Sequence, residues 1–384
     1  MHLRTDARQT EETHICSPPF SPSSTVSVDG YGLCAYSKTC KIDSMYGSIR
    51  LGIKKVANIN MILEKDLTII CQAVTTAATL CQAVRLEMNH SKANNESMTK
   101  SDQSPVTIAD YGSQAIICKM LQEQYPNDPV VAEEDAFTLS SPEMKGQIEQ
   151  VTRHVSNVLP EESSIDQKDI IRWIDHGNGQ TSNKRFWTLD PIDGTKGFVR
   201  GDQYAICLAL IENGIVQLGV IACPSLQIDN CVGSLFVAQK DQGAFRKPIM
   251  NKELLLHMER TYVNHKSDSF VQSYEVSHGN HSTQEAVAEA LNIRNGTNMD
   301  SQAKYCMVAN GLAAMYIRLS NYKENIWDHA AGALLVEEAG GIVTDRDGKG
   351  LIYTSSKMNE NNGVVVSNGV LHDKIISTLK TMDN

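Results

Sequence analysis

Trp187-Thr-Leu-Asp190-Pro-Ile-Asp193-Gly-Thr195-Lys-Gly-Phe198 is the stretch on which the reading of this chain turns. Asp190 and Asp193 stand three apart directly after an apolar run, with Pro191 stiffening the link and Gly194 and Thr195 following at once. Two carboxylates and the Ile192 carbonyl can converge there, and such oxygens are what hard cations such as Mg²⁺ take as ligands. Gly194 lets the chain turn without a Cβ clash. A helix starting at that turn would offer free N–H groups to an anion. Metals beside an anion cradle are the minimum for hydrolysing a phosphate ester. Taken alone, such a stretch is more often a turn carrying solvated aspartates, and it is the partners elsewhere in the chain that reverse the balance.

The rest of the chain sets bounds. At 384 residues it exceeds one ordinary core and predicts two domains or one large two-part unit. A hydrophobic content of 41% and a charged content of 21% are those of a soluble globular protein. A net charge of −10 argues against nucleic acid or anionic lipid as the partner of the whole molecule, while leaving room for a local basic pocket. The ten cysteines (16, 34, 40, 71, 81, 118, 207, 223, 231 and 306) form no Cys-x-x-Cys pair and no zinc-type cluster, which suits buried free thiols in a reducing compartment. Cytoplasmic location is the expectation. Residues 1–60 lack a secretory core and mix basic with acidic residues, so they predict a disordered extension, with organellar targeting as the alternative. Leu67 to Val84 carries no charge, but its threonines and glutamines predict a packed helix and not a membrane span.

Periodicity predicts a helix over 63–89, an extended piece over Val106–Ile108, and a second helix beginning at Asp110. A short strand, Val130–Ala132, leads to Glu133. Runs 203–212 and 215–224 read as strands joined by Asn213-Gly214, a type I′ hairpin signal. Cys223-Pro224 closes that hairpin and predicts a domain boundary between 61–224 and 225–384. In the second half, strands alternate with helices, including Tyr305–Ala314 and Trp327–Ala339, the latter closed by Gly340-Gly341. This alternation predicts a layered α/β architecture. Asp110, Glu133, Asp190, Asp193 and Asp328 thereby fall at the starts or ends of elements. Acids at helix starts are common as caps, but strand ends are where sites gather in layered αβ folds.

Four blocks carry a family resemblance: Ser104-Pro-Val-Thr-Ile-Ala-Asp110-Tyr, Val131-Ala-Glu-Glu134, Trp187 through Phe198, and Ile326-Trp-Asp-His-Ala-Ala-Gly332. Over roughly residues 62–370 the chain resembles the lithium-sensitive, magnesium-dependent phosphomonoesterases of the inositol monophosphatase superfamily, and within it the 3′(2′),5′-bisphosphate nucleotidase branch. The resemblance implies an αβαβα sandwich and a set of two or three Mg²⁺ held by Glu133, Asp190, the Ile192 carbonyl, Asp193 and Asp328. It further implies Asp110 and Thr195 as the pair that activates water. Asp300-Ser-Gln-Ala-Lys-Tyr305 resembles the branch's own block, which implies nucleotide contacts from His278, Ser301, Lys304 and Arg318. The expected substrate is a small nucleotide, 3′-phosphoadenosine 5′-phosphate, with its phosphosulfate analogue besides, and the setting is sulfur metabolism. Inositol 1-phosphate or inositol 1,4-bisphosphate is the rival substrate, and a catalytically dead nucleotide sensor is the rival of a different class. A dead relative is expected to lose an acid or Thr195, and all are present. Only nine residues separate Arg318 from Asp328, shorter than the resemblance leads one to expect, and residues 225–246 look trimmed.

Overall fold

The computed structural model describes residues 64–93, 104–162, 164–181, 184–249, 258–275, 281–320 and 322–382, all within one compact unit, Asn60–Asn384. The expectations for residues 1–60, with Cys16, Cys34 and Cys40, lie outside the described residues, as does His278.

Two sheets and three helical layers stack alternately. The first sheet holds β1 (Val130–Ala132), β2 (Arg185–Asp193), β3 (Ala205–Glu212), β4 (Ile215–Ile228), β5 (Cys231–Gln239), β6 (Gly243–Pro248) and β7 (Glu259–Arg260), side by side in that order. β1 and β2 are parallel, and every later pair is antiparallel. The second sheet runs β11 (Ile342–Thr344), β12 (Val364–Ser367), β10 (Met315–Arg318), β8 (Ser269–Gln272), β9 (Asn295–Asn298).

Period-two alternation makes the layers. On β3, Ile206, Leu208 and Leu210 enter one core with α1 (Glu64–Ala93) and α2 (Ser104–Gln124). Their neighbours Ala205, Cys207, Ala209 and Ile211 enter a second core with α8 (Ala303–Ala309) and α9 (Ala330–Glu338). On β12, Val364 and Val366 face that second core. Val365 faces a third, shared with α7 (His281–Ala290) and α10 (His372–Met382). The remaining helices, α3 (Ala136–Leu139), α4 (Lys145–Val158) and α5 (Gln167–Asp175), join the first helical layer. The expected αβαβα sandwich is the fold found.

By length and composition alone α1 could cross a membrane. It is instead a core helix, with Ile70, Cys71, Val74, Ala77 and Leu80 buried against α2 and the sheet.

Several local expectations are corrected. Val106–Ile108 is helical, because Pro105 occupies the first turn of α2, where no intrahelical N–H is required and its fixed φ suits a helix. Asp110 therefore sits in the second turn of α2 and does not start it. Asp328 ends a short 3₁₀ turn, Ile326–Asp328, ahead of α9. The helix expected over Tyr305–Ala314 stops at Ala309, where Gly311 takes φ +73°. The Asn213-Gly214 turn has both residues at positive φ, as a type I′ turn requires. The boundary expected at Pro224 falls inside β4, and the first sheet continues to Arg260.

Candidate metal and nucleotide site

β2 delivers the Asp pair by means of a bulge. In a regular strand, residues three apart point to opposite faces. Asp190 pairs with Cys207 but Asp193 with Ala205, so β2 holds one extra residue between them. That residue turns the second carboxylate back toward the first. The carboxylates of Asp190, Asp193 and Asp328 then lie with ligand oxygens all within 4.8 Å of one another. Ile192 sits within the bulge with its side chain in the first core. The parallel register, Val131 to Thr188 and Ala132 to Leu189, brings Glu133 alongside Asp190, one residue beyond the last pair.

α2 fixes this arrangement from one face, where residues three and four apart are neighbours. Asp110 is buried at the site. Ser113, one turn on, donates its hydroxyl to the Pro191 carbonyl at 3.0 Å. Gln114 donates to the Glu134 carbonyl at 2.7 Å and accepts from the Glu134 N–H at 3.0 Å, holding the chain just after Glu133. Neither Ser113 nor Gln114 stands out in the sequence as anything but a polar helix residue.

Gly194 takes φ +88° at the turn, and a Cβ there would come within 3.1–3.2 Å of the Ser301 and Asp300 side chains. α6 (Thr195–Arg200) starts immediately after, with Thr195 exposed at its first position. Asp300 and Ser301 thus pack directly on the metal loop. Arg200 on α6 pairs with the buried Asp300 and with Glu275, and lies 4.4 Å from the Tyr274 ring centroid.

The site is electrostatically loaded. Burial, then Glu133, Asp193, Asp328 and Asp110, holds the Asp190 carboxyl far above the usual carboxylate range. Burial, then Glu134 and Glu133, does the same to Asp110. Asp193 is pushed up to about 6 by burial and Asp328, with Lys304 opposing. Desolvation and the carboxylates Asp328, Glu134 and Asp193 raise Glu133 to about 8. One Oδ1 of Asp110 and one of Asp190 are buried with no hydrogen-bond partner. An orphaned buried carboxylate oxygen is costly, and a divalent cation supplies the missing partner. The donor set therefore fits metal.

Three of the sequence-predicted nucleotide contacts, Ser301, Lys304 and Arg318, lie near Asp193. Ser301 is buried at φ +69°. Lys304 is buried, donates to the Met299 carbonyl at 3.2 Å and lies 5.2 Å from the Tyr316 ring centroid. Burial lowers the Lys304 ammonium to about 8, with Asp193 opposing and nearby Arg318 adding to the shift. Arg318 is held by Glu324 and by the Tyr322 hydroxyl at 3.2 Å. Glu324 also pairs with the fully buried His329, whose other nitrogen meets the Tyr305 hydroxyl at 2.6 Å. In spite of burial, His329 and Arg318 draw Glu324 down to about 2. This Arg318–Glu324–His329–Tyr305 chain escaped the sequence reading, although His329 and Tyr305 lie in quoted blocks.

A stability prediction follows from the raised carboxyls. Asp193 and Glu133 bind their protons more tightly folded than at their ordinary values of 3.8 and 4.5. Between those values and about 6 and about 8, the unfolded chain holds fewer protons, so stability falls as pH rises through the window. Metal-free protein is expected to show a falling Tm between about pH 5 and pH 8, and millimolar Mg²⁺ is expected to flatten the slope. Thermal melts with chelator and with Mg²⁺ check this, and a Tm that rises with pH in chelator would contradict it.

Comparison with known proteins adds the following. Residues 65–383 match the model of the inositol monophosphatase family. The chain is 39% identical over 333 residues to a 3′(2′),5′-bisphosphate nucleotidase of Schizosaccharomyces pombe, covering 82% of this chain and 94% of that protein. It is 38% identical over 304 residues to 3′(2′),5′-bisphosphate nucleotidase 1 of Arabidopsis thaliana, covering 73% and 85%. Among solved structures, an inositol monophosphatase from Anabaena sp. superposes with a TM-score of 0.52 at 20% identity, covering 83% of this chain and 96% of that one, a likeness of fold.

Proposed function

The chain belongs to the inositol monophosphatase family, and from that premise we propose that it is a Mg²⁺-dependent phosphatase that removes the 3′-phosphate of 3′-phosphoadenosine 5′-phosphate, leaving AMP. The same reading extends to the 5′-phosphosulfate analogue. The observation that carries it is a buried ammonium, Lys304, beside a cluster of at least three carboxylates. The cluster suits a metal-assisted ester cleavage, and the cation suits a second anionic group that stays on the substrate. Relatives of like sequence bear the nucleotidase name.

In this mechanism Glu133, Asp190, Asp193, Asp328 and the Ile192 carbonyl would hold two or three Mg²⁺. When bound, the ions supply Lewis acidity and offset a field that would otherwise repel phosphate. Asp110, buried at the site on the face of α2 that Ser113 and Gln114 fix, accepts the proton of the attacking water, which the Thr195 hydroxyl orients. The water oxygen bonds to phosphorus, the bond from phosphorus to the 3′-oxygen breaks, and that oxygen takes a proton from solvent. Lys304 and Arg318 hold the 5′-phosphate, and Ser301 and His278 contact the nucleoside. Six of the seven described cysteines are buried thiols, and all seven are free, which supports a reducing, cytoplasmic setting.

Phosphate release from 3′-phosphoadenosine 5′-phosphate and from inositol 1-phosphate, side by side with Mg²⁺, chelator or Li⁺, tests the reading. Mg²⁺-dependent preference for the nucleotide, inhibited by Li⁺, is expected. Preference for the inositol ester would overturn the substrate, and release from neither would overturn the enzyme. Thr195→Ala is expected to slow single-turnover hydrolysis by about 10²-fold while Mn²⁺ binding stays near that of the unaltered protein. An equal loss of metal binding would remove Thr195 from the proton-transfer step.

A further inference from the structure

We propose that Gln302 is the positioning residue that joins the two halves of the metal site and thereby sets its cation affinity, an inference that rests on the reading of the carboxylate cluster as a Mg²⁺ site. Three of the ligands arrive on two separate pieces of chain: Asp190 and Asp193 on the β2 bulge, Asp328 on the turn before α9. Gln302 belongs to neither piece yet is bonded to both. Its backbone N–H donates to the Asp193 carboxylate. Its side-chain nitrogen donates to the Trp327 carbonyl at 2.7 Å, and its side-chain oxygen accepts from the Gly332 N–H at 2.9 Å.

The two side-chain partners fix the amide's orientation, because the reverse would set N–H against N–H and oxygen against oxygen. Gly332 is the third residue of α9, so its N–H lacks a helical acceptor and Gln302 provides one. Trp327 is adjacent to Asp328. Gln302 is 1% exposed, so its bonds face no competition from water. It is also uncharged and adds nothing to the field of the carboxylates. What it opposes is their mutual repulsion, which in the absence of a cation drives the β2 loop and the 326–328 turn apart. A site held closed beforehand loses less freedom on binding. Arg200 pairs with Asp300 and the Ser301 hydroxyl accepts from the Ala303 N–H at 3.2 Å, which secures the backbone on either side of Gln302.

Gln302→Met tests the proposal, since it keeps the volume and the backbone bond to Asp193 but removes both side-chain bonds. Mn²⁺ binding is measured by electron paramagnetic resonance without substrate, alongside thermal melts. Affinity is expected to fall about 10-fold, and the Mg²⁺ needed for half-maximal rate to rise by the same factor. The KM for the nucleotide at saturating Mg²⁺ is expected to stay within about twofold. Gln302→Asn, shorter by one methylene and able to keep one bond, is expected to lie between, and serves equally if the Met variant does not fold. Leu379→Ala, in the third core on α10, is the control: it lowers Tm and is expected to leave Mn²⁺ affinity alone. A folded Gln302→Met or Gln302→Asn protein with unaltered Mn²⁺ affinity would overturn the proposal. Equal weakening by Leu379→Ala would overturn it too, by making the effect one of general stability. Failure of the unaltered protein to bind Mn²⁺ would instead overturn the metal reading beneath it.

Discussion

Asp190→Asn is expected to remove phosphate release, by roughly 10³-fold or more, while raising the Tm of the metal-free protein. The loss follows from the position of Asp190 at the centre of the cluster, within reach of Asp193 and Asp328 and level with Glu133. An amide oxygen is a weaker ligand for a hard cation than a carboxylate, and several kcal/mol of transition-state stabilisation, each 1.36 of which is about tenfold in rate, depend on the ion. The gain in Tm has the opposite root. Asp190 is 2% exposed, one of its oxygens has no partner, and four carboxylates surround it. Neutralising it without a change of shape relieves that repulsion, at about 1–2 °C for each kcal/mol in a protein of this size. Paired assays and chelator melts read both arms. Full activity would remove Asp190 from the metal set, and a lower chelator Tm would mean that its charge is satisfied in a way the geometry does not reveal.

Lys304→Ala is expected to lower kcat/KM for 3′-phosphoadenosine 5′-phosphate by about 30-fold or more, chiefly through KM, with a much smaller effect on inositol 1-phosphate. Truncating one member of a buried, hydrogen-bonded charge pair costs about 2–5 kcal/mol. Lys304 is buried, with an aromatic ring on one side and a carbonyl on the other, and its ammonium is lowered to about 8. A cation so placed gains from a second phosphate, and substrates without one cannot use it. Lys304 also offsets the charge of Asp193, so its loss is expected to raise the Mg²⁺ requirement somewhat for both substrates. Equal losses on both would reduce Lys304 to that secondary role and count against the nucleotide cradle.

The sequence shows best those parts of the site whose partners are near one another in the chain. Asp190, Asp193 and Gly194 are legible because they stand together after an apolar run and because Asp110, Glu133 and Asp328 read as lying at other element ends. Strands such as β3 and β12 are legible as continuous apolar runs because both their faces are buried. Asp110 was placed correctly in the chain but wrongly in its element. Val106-Thr-Ile108 is β-branched and reads as extended, whereas Pro105 in a first turn outweighs that preference. Ser113 and Gln114 share the face of Asp110 wherever the helix starts, but nothing in the chain shows that they reach the Pro191 and Glu134 backbone. Gln302, Glu324 and the ring of His329 are illegible for another reason. Each acts through contacts to backbone or side chains that only the stacked layers bring near, and a buried amide has no signature that distinguishes it from a surface one.

The packing of Asp300 and Ser301 on the Gly194 turn has a consequence for how such a chain diverges. Segment 300–304, which we propose reads the substrate, and the loop that carries Asp193 are parts of one solid, so neither varies freely. A Cβ at Gly197 would strike the Gln203 carbonyl and the Asp300 carboxylate, and one at Gly194 would crowd Ser301. A substitution at 300–302 that suits a new ligand must be matched at 194–200 and at 327–332, or it loosens the carboxylates. Substrate preference and cation affinity are thereby inherited together, and grafting residues 300–304 alone into a relative transfers a sequence without the surface that gives it shape.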